Sequence, residues 1–119
     1  MRFLVIFLLI FTLFSDVFAD DLVNYPNPFS SNSQTTKLRY TLTSDAEVNI
    51  KIFDLFGKLV FEKTINAGET YAKSGLNEYP WDGKNNNGEA VRSGGYICKL
   101  IIKYSSGTVV LKRKISVVN

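Results

Sequence analysis

Asp45 and Glu47 stand two residues apart, the spacing that puts two side chains on one face of a strand. Paired carboxylates divide acid and base roles only where a pocket drives their pKa values apart, and no pocket-forming pattern surrounds these two. They are expected to lie on a solvated edge. The segment from Asp82 to Glu89 gathers side-chain oxygens and invites a calcium reading. An EF-hand loop needs oxygen ligands at its first, third and fifth positions and a glutamate at the twelfth. Counted from Asp82, the third position is Lys84 and the twelfth is Ser93, so the EF-hand fails and only a looser calcium site remains as an alternative. Cys98 is the single cysteine and histidine is absent. Without histidine there is no Ser-His or Cys-His nucleophile and no histidine metal site. The sequence therefore predicts no catalytic residues, no cofactor, no metal and no small-molecule substrate.

The remaining chemistry is basic. The chain of 119 residues carries 14 Lys and Arg against 11 Asp and Glu, a net charge of +3. Lys112-Arg113-Lys114 is a local basic cluster, but the rest of the charge is scattered, whereas nucleic-acid binders concentrate it in a stripe. No nucleic-acid partner is expected. On an edge strand, such a cluster discourages unwanted pairing.

The elements that carry these residues begin after an apolar leader. Arg2 precedes a run from Phe3 to Phe14 interrupted only by Thr12, and Val17-Phe18-Ala19 stands ahead of Asp20-Asp21. This is the layout of a secretory signal peptide over residues 1–19, cut after Ala19. Twelve helical residues span about 18 Å, short of the ~30 Å hydrocarbon core, so a membrane anchor fits less well. The expectation is an exported domain of residues 20–119, with no transmembrane segment in the mature chain. Export permits disulfides, but one cysteine forms none within the chain, and Cys98, in phase with Tyr96, Leu100 and Ile102, reads as a small core residue.

Apolar residues then alternate with polar ones. Leu38, Tyr40 and Leu42 share one face of 36–42, and Val48, Ile50 and Ile52 share one face of 48–52. A strand over 58–65, the turn 66–69, and two long runs over 95–103 and 108–118 follow, the last two joined as a hairpin through 104–107. Strands at roughly ten-residue spacing with half-polar faces predict an immunoglobulin-like (fibronectin III-like) all-β sandwich of about seven antiparallel strands. A small barrel is the alternative. Trp81 is a candidate core plug. Arg113 falls in phase with Val109, Leu111, Ile115 and Val117, so either it sits near an open end of the sandwich or a bulge at Lys112–Arg113 shifts the register.

Three motifs are more specific. Asn24-Tyr25-Pro26-Asn27-Pro28-Phe29 opens the domain, and its prolines restrict Tyr25 and Asn27 to extended backbone. Val48 to Val60 is a strand, a turn at Gly57 and a return strand. Trp81-Asp82-Gly83-Lys84-Asn85-Asn86-Asn87-Gly88-Glu89-Ala90-Val91 is followed by Ser93-Gly94-Gly95-Tyr96. Each has a structural reason: Asp82-Gly83 and Asn87-Gly88 are turn pairs, and Gly94-Gly95 lets the chain bend before Tyr96 starts a strand. In this order, over about residues 23–119, the set resembles the Ig-like domain of the flagellar hook-cap family and the related C-terminal sorting domain (type A) of type IX secretion cargo.

That resemblance implies a non-enzymatic module that directs or tethers an exported protein to the outer membrane or cell surface. Hook-cap proteins leave through the flagellar channel without a Sec signal, so the leader favours the sorting-domain relative. The protein would cross the inner membrane through Sec, enter the periplasm and reach the surface or medium. Its implied partners are proteins, the outer-membrane secretion machinery among them. The basic, valine-rich ending, with Lys112, Arg113, Lys114, Val117 and Val118, resembles the part of such domains that holds the secretion signal. The alternative function is a structural or adhesive Ig-like module, with edge strands and aromatic residues such as Tyr71 and Tyr79 carrying the contacts.

Overall fold

Buried side chains alternate with exposed or half-buried ones along several strands of the computed structural model, which describes residues 22–119. The leader over 1–19 and its cut after Ala19 lie outside the described residues. The strands are β1 (Val23–Tyr25), β2 (Phe29–Ser30), β3 (Thr36–Leu42), β4 (Glu47–Asp54), β5 (Leu59–Ile65), β6 (Gly75–Trp81), β7 (Gly94–Tyr104) and β8 (Gly107–Val118). In β3, Thr36, Leu38, Tyr40 and Leu42 are buried while Lys37, Arg39 and Thr41 are exposed. A period of two can bury only one face of a strand, so every strand needs an opposing layer.

Two sheets supply it. β1, β3 and β6 form one in the order β1-β3-β6, and the other runs β2-β8-β7-β4-β5. Between them, Leu38, Tyr40 and Leu42 join Val48, Ile50, Ile52, Cys98, Leu100, Ile102 and Ile115 in one core. This is the expected Ig-like sandwich, with two differences in detail. Among the described residues there are eight strands rather than about seven, and β2 pairs parallel to β8 through Phe29 and Ser30. Between β1 and β2 the Pro26–Pro28 segment lacks the amide donors of a continuous strand, and the chain changes sheet there.

β6 escapes an apolar-alternation reading because its inward position 77 is an asparagine. Asn77 is buried, and its amide donates to Lys73 O at 2.8 Å and Gly75 O at 3.1 Å, which satisfies it locally. Pro80 is accommodated because β6 is an edge strand. The β4–β5 turn is closed by Asp54, whose Oδ1 accepts from Phe56 N and Lys58 N, both at 2.9 Å, with Gly57 at φ +86°. Just beyond it the β4–β5 register shifts between Ile52 and Phe53. By contrast β7 and β8 pair without interruption from Gly94–Val117 to Tyr104–Gly107, so no bulge forms at Lys112–Arg113.

Candidate partner-binding surface

Unbroken register decides where the residues of β8 point. Arg113 lies inward, half-buried, and its Nε donates to Asn24 Oδ1 at 3.1 Å on β1 of the facing sheet. Val117 is buried and pairs with Phe29 of β2. Lys112, Lys114 and Val118 are exposed on the outer face. The structure thus divides the C-terminal set: three members share the solvent face, and two are turned into the sandwich.

The opening motif explains how this strand is held. Phe29 is buried, with its ring 5.8 Å from that of Trp81. Tyr25 is 74% exposed, Pro26 half-buried and Pro28 exposed. Asn27 Nδ2 donates to Lys114 O at 3.2 Å while its Oδ1 accepts from Ser116 N at 2.9 Å, so one side chain imitates a neighbouring strand along β8. Asn119 ties down the end: its N donates to Ser93 Oγ at 2.9 Å, its Nδ2 to Val91 O at 2.8 Å, and its Oδ1 accepts from Ser31 Oγ. First and last segments of the domain are clasped together.

The third motif is a second support. Trp81 is buried against Phe29, Phe61 and Tyr96, and its Nε1 donates to Lys84 O at 3.1 Å. The Tyr96 hydroxyl donates to Arg92 O at 2.6 Å, the kind of corner bond that Ig sandwiches use to pin a loop to a strand. Gly83 is buried at φ +76°, and a Cβ there would stand 2.6 Å from Ser31 Cβ. Gly88 lies in the exposed part of the loop, and Gly95 sits in β7 beneath Leu55. The loop oxygens that suggested calcium serve its own backbone. Asp82 Oδ1 accepts from Lys84 N, and Asn85 Oδ1 accepts from Asn87 N and Glu89 N, each at 3.0 Å. Asn86 reaches across to β5, donating to Glu62 O at 2.9 Å and accepting from Glu62 N at 2.8 Å.

The acidic pair separates. Asp45 Oδ1 accepts from Ser74 N at 2.8 Å, and Glu47 pairs with Lys103 at 3.5 Å. Cys98 is fully buried, and burial pushes its thiol up to about 12. Tyr71 and Tyr79 are half-buried and meet edge to face at 5.1 Å, lining an open groove of about 680 Å³ with Lys63, Lys73 and Pro80. Two asparagines that sequence reasoning passed over, Asn27 and Asn86, set the state of both edges of the larger sheet. Their only local signal is position, one between two prolines and the other in an Asn-Asn-Asn run.

On the outer face of this sheet Lys51, Lys99 and Lys112 stand side by side on β4, β7 and β8. Glu62 lies 3.9 Å from Lys51; among the described residues no carboxylate pairs with Lys99, Lys112 or Lys114. Exposed apolar groups flank the row, with Phe56 98% exposed at the β4–β5 turn. Among the described residues no helix is long and apolar enough to cross a membrane.

The family model for the FlgD Ig-like domain matches residues 27–107. No curated protein matches the chain. Among solved structures, dimeric latent PorU of Porphyromonas gingivalis is similar at 23% identity and TM-score 0.64, over 82% of this chain and 9% of PorU. PorZ of the same organism, described as a surface component of its type IX secretion system, is similar at 20% and 0.52, over 84% of this chain and 12% of PorZ. FlgD of P. aeruginosa is similar at 19% and 0.58, over 82% of this chain and 67% of that one. These likenesses are likenesses of fold, and the chain spans about a tenth of the length of PorU and PorZ.

Proposed function

The chain belongs to the FlgD Ig-like domain family, and on that premise we propose that it is a non-enzymatic module of the type IX sorting class, directing or tethering an exported protein to the outer membrane or cell surface. In this reading residues 1–19 are a Sec signal removed after Ala19, and residues 20–119 fold in the periplasm before outer-membrane secretion machinery engages them. The observation that carries it is the exposed margin of β8, which presents Lys112, Lys114 and Val118 on one face of a strand pinned by the opening motif. A rigid strand held in place loses little conformational freedom when a partner docks on it. The fold likeness to PorZ, a surface component of a type IX system by its own description, supports the same reading. No residue is assigned a catalytic role, since Asp45 and Glu47 are engaged by separate partners.

The test is to fuse residues 20–119 behind a secreted reporter in a type IX-competent host. Reporter at the cell surface or in the medium is the expected result. Retention in the periplasm overturns the proposal. A second reading, a structural or adhesive Ig-like module, draws on the fully projecting Phe56 at a hydrogen-bonded turn, an aromatic anchor of the type that fills partner pockets. It predicts a stable complex containing the uncut domain, lost on Phe56→Ser. A monomer that co-purifies with nothing from the cell surface counts against it.

A further inference from the structure

The larger sheet has two edges, and the protein closes part of each. On β5 the Asn86 amide occupies the N–H and C=O of Glu62. On β8 the Asn27 amide occupies Lys114 O and Ser116 N, and β2 pairs with Val117 and Val118. Because Lys114 and Ser116 direct these groups away from β7, strand alternation directs those of Thr108, Val110 and Lys112 the same way. Among the described residues no strand pairs with β8 over Thr108–Lys112 except β7, and no side chain is hydrogen-bonded there. The β8 edge is capped by the Asn27 amide at Lys114 and Ser116 and is open over Thr108–Lys112.

We infer that the open edge of β8 from Thr108 to Lys112 accepts an added strand from a partner protein whose side chains alternate between carboxylate and apolar. Only a peptide backbone supplies donors and acceptors at the spacing this edge requires. Its charge selects the partner. Lys112 lies directly opposite Lys99, a like-charge cross-strand pair that is destabilising by itself, and Lys114 extends the same face. A carboxylate on the outer face of the added strand meets this group. Its alternate side chains turn inward beside half-buried Val109 and buried Leu111, where apolar residues fit. A second copy of this chain is a poor occupant, since pairing β8 with β8 brings lysine rows together. This inference takes from the proposed function only that β8 is the contact strand, and a binding measurement tests it apart from export.

The experiment adds two eight-residue peptides to the isotopically labelled chain and follows backbone amides by NMR. One peptide alternates glutamate with valine and the other lysine with valine. The acidic peptide is expected to shift Thr108, Val110 and Lys112 and to slow their amide exchange. The basic peptide should bind at least about tenfold more weakly, the effect of a few like-charge contacts. Val110→Pro, which removes an outward N–H while sparing the pairing to β7, should abolish binding. Lys112→Glu should reverse the preference between peptides and guards against a proline variant that fails to fold. Equal binding of both peptides, shifts centred on another strand, or undiminished binding to a folded Val110→Pro variant overturns the inference. Export of the reporter by a domain that binds neither peptide would sink this inference and leave the sorting reading standing. Peptide binding by a domain that retains its reporter in the periplasm would do the reverse.

Discussion

Arg113 Nε donates to Asn24 Oδ1 at 3.1 Å, and this bond ties the last strand of one sheet to the first strand of the other. Asn24 passes the connection on: its Nδ2 donates to Thr36 Oγ1 at 3.1 Å, and that hydroxyl donates to Pro26 O at 2.8 Å. Asn24 and Thr36 are buried, so a break in the chain leaves polar atoms without water to replace the partner.

Arg113→Ala is expected to lower the unfolding free energy by about 1.5–3 kcal/mol, the range for a hydrogen bond to a charged group. Asn24→Ala should cost a similar amount, and the double variant less than the sum of the two. Urea unfolding of the four proteins measures the coupling. Strict additivity would mean that the two residues act independently.

Asn86→Ala removes both side-chain bonds at Glu62 on β5. The Glu62 amide should then exchange with solvent about tenfold faster or more, as an edge amide opened to local fluctuation does. Amide exchange read residue by residue checks this, and Asn87→Ala, whose side chain leaves β5 alone, serves as the control. An unchanged Glu62 rate would show that the loop does not shield the edge.

Gly83 and Gly88 share nearly the same backbone angle, φ +76° and +80°, but not the same surroundings. A Cβ at Gly83 meets Ser31 Cβ at 2.6 Å and the Phe29 ring at 3.3 Å, while one at Gly88 meets nothing within 4 Å. Gly88→Ala is expected to cost about 1 kcal/mol from backbone strain alone. Gly83→Ala should cost about 2–4 kcal/mol, because overpacking beneath Phe29 is added to the strain. Thermal or urea unfolding of the two variants compares them, and equal losses would place the clasp elsewhere.

Tyr40 links stability to alkaline pH. Burial raises its phenol pKa well above the usual value, with smaller contributions from Tyr79, Cys98 and Tyr71, and its hydroxyl donates to Tyr71 O at 2.6 Å. A folded pKa above the unfolded one means that this contribution is complete below about pH 10, the unfolded phenol's pKa. It is lost progressively as pH rises above that value, because the unfolded chain ionises first. Tyr40→Phe should flatten the alkaline fall while lowering stability at pH 7 by about 1–2 kcal/mol through the missing hydrogen bond. Unfolding curves from pH 7 to 11 test both parts. An alkaline limb as steep in the variant as in the native chain would assign it to other groups.

Local pattern in the sequence determined the class of fold and most of the long strands. Leu38, Tyr40 and Leu42 alternate with polar residues whatever the rest of the chain does, and a period of two already demands a facing layer. The turns at Gly57 and 104–107 were legible for the same reason, since their chemistry is carried by adjacent residues. β6 was hidden because its inward Asn77 breaks the apolar pattern, and its amide is satisfied only once Lys73 and Gly75 curl around it. Tertiary structure alone decided that Phe29 and Ser30 cross to β8, that Arg113 turns in to Asn24 while Lys112 and Lys114 turn out, and that Asn27 and Asn86 each cap part of an edge. Each of these rests on a partner tens of residues away. A side-chain amide has the same composition whether it faces water or imitates a strand, so its role exists only where the folded chain brings a peptide edge to it.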